Sequence, residues 1–206
     1  MKRRAMPGIA TLAAALALGA CSGGLRSNAP TVQAWRLDPP AATAPVGDAA
    51  PVAATLRVLW PLAAPGLDGD RIALLRSDRT LDYYAANRWS ARVTEMVRAL
   101  ALDTLRAAGA YRVVQPEDAP FSYDETLQIE VRDFQAEYGV AAAPLARVTL
   151  VCTLGRRSDR AVLASFTLEG SVPAADNRMR AIVAAFDAAL DAALAGLPQR
   201  LAAAPR

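Results

Sequence analysis

Among the 206 residues, the group whose setting most clearly prescribes a reaction is the thiol of Cys21. It follows Leu18-Gly19-Ala20, an apolar run at 9–18 and a cationic start at Lys2, Arg3 and Arg4. The run has the length of a signal-peptide h-region and falls well short of the roughly 20 residues that span a bilayer. Leu18, Gly19, Ala20 and Cys21 in this order resemble the bacterial lipobox. Two small residues ahead of the cysteine let an extended backbone enter a peptidase site, and the thiol is the one group there that can become a diacylglyceryl thioether. Residues 1–20 are therefore expected to be removed and Cys21 to carry acyl chains such as palmitate. Each buried methylene contributes about 0.8 kcal/mol, so one chain holds marginally and two or three hold for good. Ser22 occupies the place where aspartate marks inner-membrane retention in Gram-negative lipoproteins, so the expected location is the outer membrane, on its periplasmic face.

Other chemistry is narrowed by what is missing. The chain has no histidine, which removes the usual general base, the Ser-His and Cys-His nucleophile pairs and the commonest zinc ligand. Lys2 is the sole lysine and leaves with the signal, so amine nucleophiles go too. Cys152 lies on the apolar side of a strand pattern, where a thiol acts as a small hydrophobe, and with Cys21 acylated it has no disulfide partner. Glu117, Asp118, Asp124 and Glu125 are the one group of carboxylates that could share acid–base work, the basis of an alternative as a lipid-anchored carboxylate hydrolase. Their position beside Pro116 and Pro120 is better explained by surface turns. Asp68 and Asp70 flank Gly69 without the remaining ligands of a calcium loop and are read as turn residues. No catalytic residue, metal or cofactor is expected.

Charge argues against nucleic acid. The 23 Lys+Arg against 20 Asp+Glu give +3, but Lys2, Arg3 and Arg4 supply that whole excess and lie in the segment to be removed. Arg156, Arg157 and Arg160 cluster at a turn that could meet anionic head groups or an acidic partner, although a solvated turn explains them as well.

The elements that would position these residues follow from periodicity. With 53% apolar and 21% charged residues, the chain can build a packed core. A polar tether at 21–31 leads to one domain at 32–198 and a tail at 199–206. Strands are expected at 32–37 and 56–60, where Leu56, Val58 and Trp60 alternate up to Pro61, with an Ala/Pro-rich loop between them. Residues 71–75 and 80–84 form a hairpin, and 111–114 a short strand. Val93, Met96, Val97, Leu100 and Leu105 trace a helical stripe within 90–108, closed by Gly109. Leu127, Ile129 and Val131, then Ala146, Val148, Leu150, Cys152 and Leu154, then Val162, Ala164, Phe166 and Leu168, form the inward faces of an antiparallel meander. A last helix at 176–197, capped by Asp176 or Asn177, buries Met179, Ile182, Val183, Phe186, Leu190 and Leu197. The fold class is α+β: a mixed, largely antiparallel sheet covered by two helices.

The lipobox, Leu59-Trp60-Pro61, Pro65-Gly66-Leu67-Asp68 ahead of Ile72, and Leu81-Asp82-Tyr83-Tyr84-Ala85-Ala86-Asn87-Arg88-Trp89 together resemble the ABC-type transport auxiliary lipoproteins, the paraquat-inducible lipoprotein C-like partners of mammalian-cell-entry systems. Ala63-Ala64 between Leu62 and Pro65 depart from the family's direct Leu-Pro. The resemblance implies a docking or adaptor component at the outer membrane for a lipid-transporting ABC system. Its partners would be a mammalian-cell-entry tunnel protein and its permease and ATPase. A homo-oligomeric ring is suggested by analogy with those tunnel proteins, and a lipoprotein of another outer-membrane assembly pathway is the alternative. Tyr83, Tyr84 and Arg88 are the candidate partner interface, because Arg and Tyr are enriched in binding hot spots, whereas Trp89 is read as core, entering the first helix.

Overall fold

A computed structural model describes residues 31–39 and 51–206. The signal segment, Cys21, the tether and most of the Ala/Pro-rich loop lie outside the described residues. Among the described residues nine strands form one sheet: β1 (Gln33–Trp35), β2 (Val52–Val58), β3 (Leu62–Ala63), β4 (Arg71–Leu75), β5 (Leu81–Trp89), β6 (Tyr111–Pro116), β7 (Glu125–Glu137), β8 (Leu145–Arg156) and β9 (Val162–Pro173). The helices are α1 (Val93–Ala108), α2 (Met179–Ala195) and the short α3 (Leu197–Ala202). The class is α+β, as expected.

β7 is the strand the others share. On one side β8 runs antiparallel along its whole length, and β9 follows β8 in the expected meander. Along its other side β2, β3 and β4 pair in succession, all parallel. β6 extends β2 in parallel, while β5 pairs antiparallel with β4 and parallel with β1. The two longest pairings, β7–β8 and β8–β9, are antiparallel, and on the other side of β7 the sheet forks into a β2–β6 arm and a β4–β5–β1 arm.

The clean alternation of β7 produces the core directly. Leu127, Ile129 and Val131 are wholly buried and face Leu154, Cys152 and Leu150 across the ladder. A register shift between Val131 and Asp133 then changes the phase, so that Phe134 and Ala136 become the buried residues. α2 packs on β8 and β9, and its stripe of Ile182, Phe186, Ala189, Leu190 and Leu194 is buried. By length and hydropathy residues 179–202 could cross a membrane, but here the segment covers the sheet and is broken at Gly196. α1 lies against β6 and touches α2 and α3; Gly109, in the left-handed region at φ 61°, closes it by donating its N–H to the Arg106 carbonyl. Where the two arms and the helices meet, Trp89 packs edge-on to Phe134 and Phe186, with centroids 5.7 and 5.2 Å away.

Several boundaries differ from the sequence reading, each for a local reason. The first helix begins at Val93, not 90, because Trp89 N–H bonds the Asp70 carbonyl and Ser90 N–H bonds the Trp35 carbonyl. These bonds hold 89–90 in the sheet, so Trp89 is core as expected but ends a strand instead of entering a helix. The second helix begins at Met179: the Asp176 carboxylate accepts the Arg178 N–H, and Arg178, not Asp176 or Asn177, is the N-cap. Leu197 belongs to α3 and stays buried; of residues 199–206, expected as a tail, 199–202 continue α3, and Leu201 and Ala204 are buried. Trp60 lies beyond the end of β2 and is 46% exposed. Val162 is exposed rather than inward, because the β8–β9 register shifts at Gly155, opposite it.

Candidate functional site

The segment 83–88 sits on a distortion of β5. Arg71 pairs with Arg88 and Ala73 with Tyr83, so three extra residues are accommodated on β5, and Ala86 takes φ 56°, a left-handed backbone unusual for a residue with a Cβ. Tyr83 and Tyr84 are both half-buried and pack against the core. Tyr83 donates its hydroxyl to the Gly66 carbonyl at 2.9 Å and carries the Arg71 guanidinium 3.5 Å above its ring. Tyr84 donates to the Tyr138 hydroxyl at 3.0 Å, and Tyr138 in turn to Asn177 at 2.7 Å. Burial and this bond push the Tyr84 phenol well above the usual tyrosine range. Arg88 remains exposed, 3.8 Å from Asp70. Beside it Arg92 approaches Asp68 at 3.8 Å, and Thr94 donates to Asp68 at 3.3 Å, so both aspartates act as turn and ion-pair residues. An open cleft of about 600 Å³ lies between them, lined by Asp70, Arg88, Trp89, Arg92 and Glu95 among others.

The four carboxylates at 117–125 are held by separate partners. Glu117 accepts the Trp60 N–H, Asp118 pairs with Arg98 and Asp124 accepts the Thr55 N–H. Glu125 is buried and accepts from the Tyr111 hydroxyl at 2.7 Å and from Arg206 at 3.2 Å. Among the described residues no group of three or more acidic, cysteine or histidine side chains is arranged to hold a metal ion. Cys152 is wholly buried in the sheet core, and burial alone pushes its thiol up to about 12, which keeps it protonated and unreactive.

Two features escape sequence reasoning. One is the Tyr111–Glu125–Arg206 cluster, whose members are up to 95 residues apart and meet only because β6 and the C-terminus converge on the start of β7. The other is a cationic end of the sheet. There two guanidiniums stand against the Tyr123 ring, Arg57 at 3.9 Å and Arg157 at 4.8 Å from its centroid. Arg156 pairs with Asp159 at 3.0 Å, and Arg157 and Arg160 are exposed on the β8–β9 turn. The arginine run at 156–160 was visible in the sequence; Arg57 and Tyr123 were not linked to it, since only the β2–β7 and β7–β8 pairings bring them together.

The pattern of the ABC-type transport auxiliary lipoprotein component matches residues 35–196. The chain belongs to that family. It is a family of transport lipoproteins, not of enzymes. Protein XCC0632 from Xanthomonas campestris has a similar solved structure, with 25% identity and a TM-score of 0.73 over 82% of this chain and 96% of that one. Weaker likenesses are a PelC dodecamer from Paraburkholderia phytofirmans, at 17% identity and TM-score 0.44 over 74% and 92% of the two chains, and lipoprotein GNA1162 from Neisseria meningitidis, at 15% and 0.37 over 63% and 90%. Among curated sequences none matches the chain.

Proposed function

We propose that this auxiliary lipoprotein is fastened through Cys21 to the periplasmic face of the outer membrane. There it serves a lipid-transporting ABC system as a docking or adaptor component, meeting a mammalian-cell-entry tunnel protein and, through it, the permease and ATPase. The observation that carries the reading is the family match over 35–196, preceded in the same chain by Leu18-Gly19-Ala20-Cys21. A folded domain held at a membrane by acyl chains is concentrated where its partner arrives, which strengthens docking without new contacts. Tyr83, Tyr84 and Arg88 are its proposed contact segment. Ala86, held at φ 56° among them, supports this, since such strain collects where a site needs it. Assembly into a homo-oligomeric ring is part of the proposal, matching the symmetry of a tunnel.

Mass spectrometry of the protein from its own envelope should show an acylated N-terminal Cys21, and Cys21→Ala should release the chain from the outer-membrane fraction. Affinity purification of the lipidated protein should recover the mammalian-cell-entry protein and the permease. An unacylated N-terminus, or recovery of components of another assembly pathway instead, overturns the proposal.

A further inference from the structure

The cationic end of the sheet lies opposite the end at which the chain enters it. β1 is parallel to β5, β5 antiparallel to β4, and β4 parallel to β7, so β1 runs against β7 and is entered from the Glu137 end. The β8–β9 turn projects from the Glu125 end, about 40 Å away along a 13-residue strand. At that end Tyr123, Arg156 and Arg157 line two adjoining open clefts, of about 560 and 400 Å³, and Arg160 lines the second. Arg157 and Arg160 have no carboxylate partner among the described residues. Arg157 is oriented instead by the Tyr123 ring and by its own N–H, which bonds the Asp124 carbonyl at 2.9 Å. Two apolar side chains stand at the same end, Phe121 at 71% and Val162 at 65% exposure. Arginine guanidiniums preset over an aromatic ring and flanked by exposed apolar groups form a surface suited to carboxylates presented on a protein, with planar, bidentate pairing at its centre and apolar contact around it.

We propose that the end formed by Tyr123, Arg157 and Arg160, with Phe121, is a second docking surface, and that its occupant is an acidic segment of a protein component of the transport system. The proposal rests on the lipoprotein reading above, which brings a protein of the transport system to the domain. An anionic membrane is the weaker occupant, because two unpaired guanidiniums fall short of the four to eight basic residues that make a lipid-binding cluster.

The test uses the full-length chain in its native envelope, with the photo-cross-linking residue p-benzoylphenylalanine in place of Phe121 and, as a control at the other end, of Val140, which is fully exposed. The cross-linker at 121 should join a component of the transport system through a peptide rich in Asp and Glu, and the one at 140 should not. Combining it with R157E and R160E should lower the adduct at least about tenfold, since reversed charges repel where the native ones attract, whereas R157K and R160K, which keep the charge and lose the planar fork, should retain part of it. All four replacements are at exposed positions and should leave thermal unfolding unchanged. Adducts insensitive to charge reversal, adducts to phospholipid, adducts only to a second copy, or none at all overturn the proposal. Acylated Cys21 and co-purified permease in those same cells would show that the lipoprotein reading survives such a failure; their absence would show that it falls too.

Discussion

Gly170→Ala is expected to strike the closest approach between sheet and helix. A Cβ on Gly170 would lie 1.8 Å from the carbonyl oxygen of Ala189, 2.7 Å from its carbonyl carbon and 3.2 Å from its Cα. These are backbone atoms inside α2, so no rotamer change relieves the overlap. The helix must withdraw by roughly 1.5 Å to restore a normal contact, and a gap of even 0.5–1 Å forfeits a quarter to a half of each dispersion contact along it. That loss falls on Ile182, Phe186, Leu190 and Leu194, all 1% exposed or less. Overpacking typically costs about 1–3 kcal/mol, and a rigid backbone obstacle places this case near about 3 kcal/mol. In a chain of this size that lowers Tm by about 6–12 °C. Circular-dichroism melts of the purified protein measure it. Gly139→Ala is the control, since nothing lies within 4 Å of a Cβ there. Ala189→Gly should not rescue Gly170→Ala, because it removes a side chain and leaves the obstructing carbonyl. A Tm within about 2 °C of the parent, or full rescue by Ala189→Gly, would refute the packing argument.

Other substitutions probe the core and the buried polar groups. Trp89→Ala should cost about 3–5 kcal/mol in urea unfolding, by emptying the space against Phe134 and Phe186. Trp89→Phe should cost under about 1.5 kcal/mol, because the buried indole N–H has no hydrogen-bond partner among the described residues. Arg206→Ala should cost about 1.5–3 kcal/mol, leaving the Glu125 carboxylate, 6% exposed, with the Tyr111 hydroxyl alone. Glu125→Gln added to it should recover part of the loss, and strict additivity would argue that the pair is not coupled. In the Cys21→Ser chain, Cys152 should resist thiol reagents at pH 8 until the protein unfolds. Its thiol is neutral in both states below its unfolded pKa, near 9; above that only the unfolded thiol ionises until the folded one follows at about 12. Stability should therefore fall as pH rises through 9 to 12, by up to about 1.4 kcal/mol per pH unit from this group, and Cys152→Ala should flatten the fall.

The parts of the fold legible in the sequence are those set by local period. Leu127, Ile129 and Val131 announce β7, the stripe from Val93 to Leu105 announces α1, and both long helices are where the apolar repeat puts them. What failed to show depends on partners distant in the chain. No periodicity reveals that β2, β3 and β4 share one edge of β7 in parallel, or that a register shift hands the core from Val131 to Phe134. Trp60 fits the alternation of β2 yet leaves the sheet, held by Glu117 through its N–H and by Arg98 against its ring at 4.1 Å. The aromatic cluster at 83–89 was visible as composition, whereas the extra residues that bend β5 there come from pairing with β4. The carboxylates at 117–125 looked like a unit in sequence and are dispersed because each caps or pairs with a different element.

The forked sheet gives the domain two ends of different character, joined by one strand. β7 is bonded along one edge by β8 for its whole length and along the other by β2, β3 and β4 in turn, so its backbone is held on both sides nearly from Glu125 to Glu137. A strand in that position resists extension through its hydrogen-bond ladder as well as through side-chain packing. At the Glu137 end the Tyr84–Tyr138–Asn177 chain ties β5, the exit of β7 and the approach to α2 into one hydrogen-bonded corner. At the Glu125 end the Tyr111–Glu125–Arg206 cluster ties β6, the start of β7 and Arg206 together, while Arg157, on the Tyr123 ring, stays exposed. Two ends joined through one doubly bonded strand, one of them carrying exposed arginines, are what the proposed adaptor role calls for, since that role needs two attachments held at a fixed separation.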